Sequence, residues 1–279
     1  AAGLVTFKLS KSGAMTLFPD ERSNEVLSYY DWQIEIQKPG DKETLVIGQD
    51  DFRDLSSDGK PTFYSDTLPF DIVLSDYSRN TVPLPVGPMI KDQVDAIDGY
   101  FLRALPKANE AERNIPGAKV TLRDKKSGEE QTALLWGMAT EPAAFNVGDE
   151  QWTIDLGKTR WSLPFAIQLD EFIRETHPGT GMDAYFESKI TKIDPTGDEK
   201  IRVHMNHPLR HEGTTVFQSG WGPSNAQPGQ PLFSTFAIVR NPADHWPLYS
   251  CLIISFGLTV HFLQRLTKYV IAENKRRLA

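Results

Sequence analysis

The chain has 279 residues, a formal net charge of −7 and one cysteine, Cys251. An acidic balance, with a pI near 5.4, argues against a nucleic-acid binder, which would concentrate Lys and Arg. A lone cysteine excludes an internal disulfide or a thiolate-metal site.

The first hundred residues read as strands and turns. Val5–Leu9 alternates, Lys11-Ser-Gly13 reads as a turn, and Ala14–Phe18 resumes the strand pattern. Trp32–Ile36 has strict period two, the mark of a half-buried strand. Pro39-Gly40-Asp41 separates it from Thr44–Ile47, which predicts a hairpin. Asp50–Lys60 is polar and loop-like. Leu68-Pro-Phe-Asp-Ile-Val-Leu-Ser-Asp-Tyr-Ser-Arg79 is then echoed by Leu163-Pro-Phe-Ala-Ile-Gln-Leu-Asp-Glu-Phe-Ile-Arg174, an internal repeat. Alternation puts Phe70, Ile72 and Leu74 on one core face, and Phe165, Ile167 and Leu169 on another.

Between the two copies, Val94, Ile97, Phe101 and Leu105 recur at helical spacing. Lys91–Leu105 is therefore expected to be a helix, stopped by Pro106. Val120–Arg123, Thr132–Met138 and Gln151–Leu156 read as strands, parted by turn signals at Lys125–Gly128 and Asn146–Glu150. Tyr185–Ile193, Ile201–Met205, Thr214–Gln218 and Phe233–Arg240 continue the strand pattern. The expected fold is mainly antiparallel β, sandwich- or barrel-like. Its organisation reads as a first β half with one helix over 1–106, a second β half over 107–240, a membrane helix over 246–264 and a tail over 265–279. Trp32, Trp136, Trp152 and Trp161 fall in strand-like runs and read as core. No glycine-rich phosphate loop, G-x-S-x-G elbow or H-E-x-x-H motif is present, and no catalytic residue is assigned.

Trp246–Leu263 contains no Asp, Glu, Lys or Arg. As a helix it spans roughly 27 Å, enough to cross a hydrocarbon core. Arg265, Lys268, Lys275, Arg276 and Arg277 follow it, with Glu273 the one acid among them. The positive-inside rule then makes the C-terminus cytoplasmic and the β region extracytoplasmic. The competing reading is a core helix of a soluble protein. An exported region needs an export signal, so N-terminal membrane segments are expected to precede this sequence.

Three histidines, His204, His207 and His211, crowd one stretch and raise the reading of a metal-dependent hydrolase. The spacing opposes it, since Pro208 breaks any helix and His204 and His207 point to opposite faces of a strand. A hairpin turning at Glu212-Gly213 is the structural alternative.

The same stretch carries a resemblance. Asn206-His-Pro-Leu-Arg-His-Glu-Gly213, followed by Val216-Phe-Gln-Ser219, is similar to the N-x-P-L-x-x-x-G-x-x-x-(aromatic)-Q-S signature of the ResB family of cytochrome c biogenesis. Leu163–Phe172, His177-Pro-Gly-Thr180, Phe186-Glu-Ser188 and Val239-Arg-Asn-Pro242 resemble further runs of that family, and Gly13–Glu21 resembles the start of its outer domain. The resemblance implies about three membrane helices before the outer domain and one after it. It implies a CcsA-type haem-handling partner, apocytochrome c, and a thioredoxin-like thiol reductase at the membrane. Haem would be in transit and not firmly held by this chain, whose part would be that of a scaffold.

Asn206, Pro208, Leu209, Gly213, Gln218 and Trp221 are the signature residues, read as structural or as partner contacts. Trp221 reads either as an exposed contact or as a lid on the β core. Gly257 and His261 lie near one face of the membrane helix. His261 reads as a helix-packing residue, a haem ligand or a polar relay, because ionisable groups inside a membrane are expensive. A membrane-anchored binding module unrelated to haem is the alternative function.

Overall fold

The computed structural model describes residues 10–41, 43–55, 59–87, 95–179, 182–227 and 229–278. These residues form mostly antiparallel β sheet and one long C-terminal helix, as the alternation predicted. Val5–Leu9 lies outside the described residues. The chain divides into two compact units. One comprises Gly13–Met15 and Ser23–Ala166, the other Ala1–Ser12, Thr16–Arg22 and Ile167–Ala279. The 106/107 division expected from the sequence thus falls inside the first unit.

In the first unit, β1 (Lys11–Leu17) pairs with β2 (Arg22–Gln37), with Gly13 opposite Ser28. Lys11-Ser-Gly13 is therefore strand and not the expected turn. A Cβ on Gly13 would lie 2.2 Å from the Leu27 carbonyl oxygen, so the glycine serves close strand approach and not a bend. β2 forms the expected hairpin with β3 (Thr44–Gly48), from Gln37 opposite Thr44 to Gln33 opposite Gly48. Gly40 takes φ +92° in the connecting turn, where Asp41 N donates to Lys38 O at 3.0 Å.

β4 (Thr62–Phe63), β5 (Phe70–Ser78), β8 (Gly117–Asp124) and β9 (Glu130–Trp136) form a four-stranded sheet in the order β4-β5-β8-β9. β6 (Thr81–Pro85) and β7 (Tyr100–Ala104) make a separate pair. The predicted helix over 91–105 is corrected here. Residues 91–94 lie outside the described residues, and the rest is a turn followed by β7. Asp98 (φ +51°) and Gly99 (φ +80°) both adopt left-handed backbone, and Ile97 and Tyr100 exchange backbone hydrogen bonds of 2.9 and 3.0 Å around them. An Asp-Gly two-residue turn of this kind is a strong local hairpin signal, and it outweighs four apolar residues at helical spacing. β10 (Ala143–Val147) pairs with β11 (Glu150–Thr176).

The core of this unit gathers Trp32, Ile34 and Ile36 with Phe70, Ile72 and Leu74, Val120 and Leu122, Phe145, and Ile154 and Leu156. Each fully buried side chain of this size contributes about 1.5–3 kcal/mol of transfer free energy. The echoed stretches share their burial pattern: Phe70, Ile72 and Leu74 are buried, as are Phe165, Ile167 and Leu169. Their settings differ. β5 lies between β4 and β8 and carries an irregularity between Ser75 and Ser78, where Asp76 takes φ +54°. The second copy lies within the 27-residue β11.

In the second unit, β12 (Asp183–Asp194) and β13 (Gly197–His204) form a hairpin. β14 (Leu209–His211), β15 (Thr214–Gly222) and β16 (Phe233–Arg240) form a meander in that order. Ile190, Val203, Val216, Phe236 and Ile238 are buried. The helix α1 (Trp246–Leu278) follows a turn in which Asn241 Oδ1 accepts from Ala243 N at 2.9 Å. Pro247 sits in its first turn, where an absent N–H costs nothing. The helix continues unbroken past the expected end at 264 and takes in the tail to Leu278. None of its apolar stretch is buried, and it is long and apolar enough to cross a membrane.

Candidate functional site

The signature residues gather in the second unit, around the β14–β15 hairpin. Asn206 occupies left-handed backbone (φ +66°) between His204 and His207, whose backbones exchange hydrogen bonds of 2.9 and 3.4 Å. Asparagine tolerates that region better than most residues. Pro208 then leads into β14, and Leu209 is buried opposite Val216. Glu212 (φ +46°) and Gly213 (φ +70°) make the tight turn that returns the chain as β15. Asn206 and Gly213 thus serve backbone geometry.

Gln218 has another task. The pairing of β15 with β16 runs in step to Gln218 opposite Phe236, then shifts so that Gly220 faces Thr235 and Trp221 faces Ser234. Ser219 is the extra residue of a bulge. Gln218 Nε2 spans it by donating to the Gly220 carbonyl oxygen at 2.8 Å, and it also donates to Ser234 Oγ at 2.9 Å. The Ser188 hydroxyl on β12 reaches Gln218 Oε1 and lies 2.8 Å from Ser234 Oγ. Ser188 and Ser234 are fully buried, so this lattice ties the β12–β13 hairpin to the β14–β16 meander through satisfied polar groups.

The bulge has a consequence for Trp221. Directly opposed residues of an antiparallel pair share a face, so Trp221 falls on the face of buried Ser234 and Phe236. Without the extra residue, Gly220 would stand there. The indole Nε1 donates to Asp183 Oδ2 at 2.8 Å. The ring stacks on Phe172 at 6.3 Å between centroids, and the Arg174 guanidinium lies 4.0 Å above it. Arg174 also pairs with Asp183, and the bonds from Arg174 and Trp221 hold the Asp183 carboxyl below the usual carboxylate range. Trp221 is half-buried, at the centre of a cluster of aromatic and charged groups. Trp32 is buried, whereas Trp136, Trp152 and Trp161 are half-buried.

On the same strand as Asp183, Glu187 is buried with both carboxylate oxygens engaged. Arg202 Nε and a terminal nitrogen donate at 2.8 and 2.6 Å, and Tyr185 donates its hydroxyl at 2.5 Å. The Arg202 guanidinium overcomes burial and holds the carboxyl down to about 2. Sequence reasoning missed Glu187, Ser234, Asp183 and Arg174 as members of the site. A signal existed for Ser234: it shares the inward period-two face of Phe236 and Ile238 in an apolar strand.

The three histidines do not converge. His204 and His207 meet edge to face at 4.4 Å, while His211 Nε2 lies 3.3 Å from Asp194 Oδ2, which also pairs with buried Lys192. Among the described residues no group of three His, Cys, Asp or Glu is placed to hold a metal ion. On α1, Gly257 has open space where a Cβ would project, and His261 is exposed among Phe262, Arg265, Leu266, Lys268 and Tyr269 of the same helix.

The ResB-like family model matches residues 137–230, which include β12 to β15 and every signature residue. A relative, the cytochrome c biogenesis protein CcsB of Synechococcus sp. (strain RCC307), is 41% identical over 68 residues. That match covers 24% of this chain and 14% of the relative's length.

Proposed function

We propose that this is a ResB-like chain, on the strength of the family match over residues 137–230, and that it acts as a component of cytochrome c biogenesis, holding other proteins in place without doing chemistry itself. The observation that carries this reading is the use made of the signature. Its residues build two tight turns, a pinned bulge and the Trp221 cluster, and this supports reading the region as a docking platform. No nucleophile or base is assigned to it.

In this reading the β units face the extracytoplasmic side. α1 crosses the membrane, and Arg265, Lys268, Lys275, Arg276 and Arg277 lie on the cytoplasmic side. The partners are a CcsA-type haem-handling membrane protein, apocytochrome c and a thioredoxin-like reductase. His261 meets a neighbouring helix at the open face left by Gly257, and haem passes in transit without firm binding here.

The test is a covalent haem stain of c-type cytochromes in cells carrying the full-length gene, its deletion, or Trp221→Ala at wild-type protein level. Deletion is expected to abolish the stained bands with b-type haem intact, and Trp221→Ala to reduce them severalfold. Unchanged bands in the deletion would sink the reading and favour a membrane-anchored binding module unrelated to haem.

A further inference from the structure

Among the described residues the first unit has a strand edge with no partner strand: β3 pairs with β2, and no strand lies on its other side. Folded proteins blunt such edges with lysines, prolines, bulges or a covering segment. β3 reads Thr-Leu-Val-Ile-Gly, with no charge and no proline, and its register with β2 is regular. Leu45 and Val46 are 40% and 52% exposed. Beside them opens a groove of about 230 Å³, lined also by Phe63, Leu68 and Tyr64. Tyr64 is 77% exposed and leaves the mouth open.

Charge around this groove is mainly acidic, although Lys125 Nζ donates to the Ser65 and Leu68 carbonyls at 2.6 and 3.0 Å. Residues 41–66 hold seven acids against three bases, so more than half of the net charge of the whole chain sits in this stretch. Asp50, Asp51 and Asp66 are exposed, and Asp51 lines the groove itself. Arg53 is already shared between Asp50 and Asp54.

We propose that the free edge of β3 binds an extended polypeptide segment that alternates apolar and basic residues. The segment adds as a strand through backbone hydrogen bonds, sets its apolar side chains into the groove and its Lys or Arg against the acidic rim. An acidic rim rejects acidic segments, and an open edge needs no preformed side-chain pocket at every position. This interaction goes beyond the assembly role proposed above and does not rest on it.

The experiment uses the full chain in neutral phosphatidylcholine nanodiscs, with empty nanodiscs as reference. The probe is a fluorescein-labelled Lys-Val-Lys-Val-Lys-Val-Lys peptide read by anisotropy. Saturable binding is expected, weakening about fivefold or more as salt rises and screening shortens. The counterpart with Glu at every Lys position should not bind. Two further probes carry N-methyl groups on alternate amides, one set for each edge of the strand. One of them should bind at least tenfold more weakly, because only one edge faces β3. Val46→Lys, an exposed change that puts a blunting charge on the edge, should also weaken binding at least tenfold. Equal binding of the acidic probe, parent-like binding of both methylated probes, wild-type binding by Val46→Lys, or no saturable binding at low salt would each overturn the proposal.

Discussion

Glu187 is buried and Lys158 half-buried, and their linkage to pH runs in opposite directions. Arg202 holds Glu187 at about 2, below its ordinary 4.5, so its contribution is complete above about 4.5 and is lost as pH falls toward 2. Glu187→Gln should lower stability at pH 7 by roughly 1.5–3 kcal/mol and make the acid side of a denaturation-versus-pH curve shallower. Lys158 lies 3.8 Å over the Trp32 ring and donates to the Tyr29 carbonyl at 2.7 Å. Burial nevertheless pushes its amine down to about 8, against the pull of Asp31 and Glu112. Between about 8 and 10.5 the unfolded chain binds the extra proton, so this group adds stability as pH rises through that window. Lys158→Met should abolish that rise in thermal melts from pH 8 to 10, and an unchanged rise would show that another group causes it. Neither partner choice was legible in the sequence. Arg202 meets Glu187 because Lys189 is its register partner and Glu187 lies two residues along the same strand, a fact of pairing that composition does not carry.

At the scale of elements, alternation was the readable signal, and it located most of the strands of both units. It failed where a single residue changed the geometry. Gly13 looked like a turn because glycine usually marks one, yet its missing Cβ admits the Leu27 carbonyl. Asp98-Gly99 lay inside a helical spacing and reversed the chain. The bulge at Ser219 was likewise invisible, although the glutamine that spans it stood in the signature. Gln218→Leu removes the amide and leaves buried Ser188 and Ser234 short of partners, at a cost of about 1–3 kcal/mol. Hydrogen exchange should then accelerate at Gly220 and Trp221 before it does so in β12. Uniform acceleration through the unit would instead mean that Gln218 acts only on global stability.

At the scale of the molecule, a helix apolar enough to cross a membrane was legible from its charge-free run, but its length was not. α1 has 33 residues, which amounts to about 50 Å of helix against a hydrocarbon core near 30 Å. The polar composition after Leu263 looked like a tail because charge argues against burial, not against helicity. In sealed inside-out membrane vesicles, trypsin should clip at Lys275, Arg276 or Arg277 and spare the β units; cleavage there only from the opposite side would reverse the proposed topology. The unbroken helix also fixes a phase relation. No proline follows Pro247, so the azimuth of Arg276 is set by that of Ser250 at about 100° per residue. One residue inserted near Leu266 would swing every basic side chain beyond it a quarter-turn and more around the axis while leaving the apolar span intact. The two ends of the rod are therefore geared, and a twist imposed at one would be felt at the other.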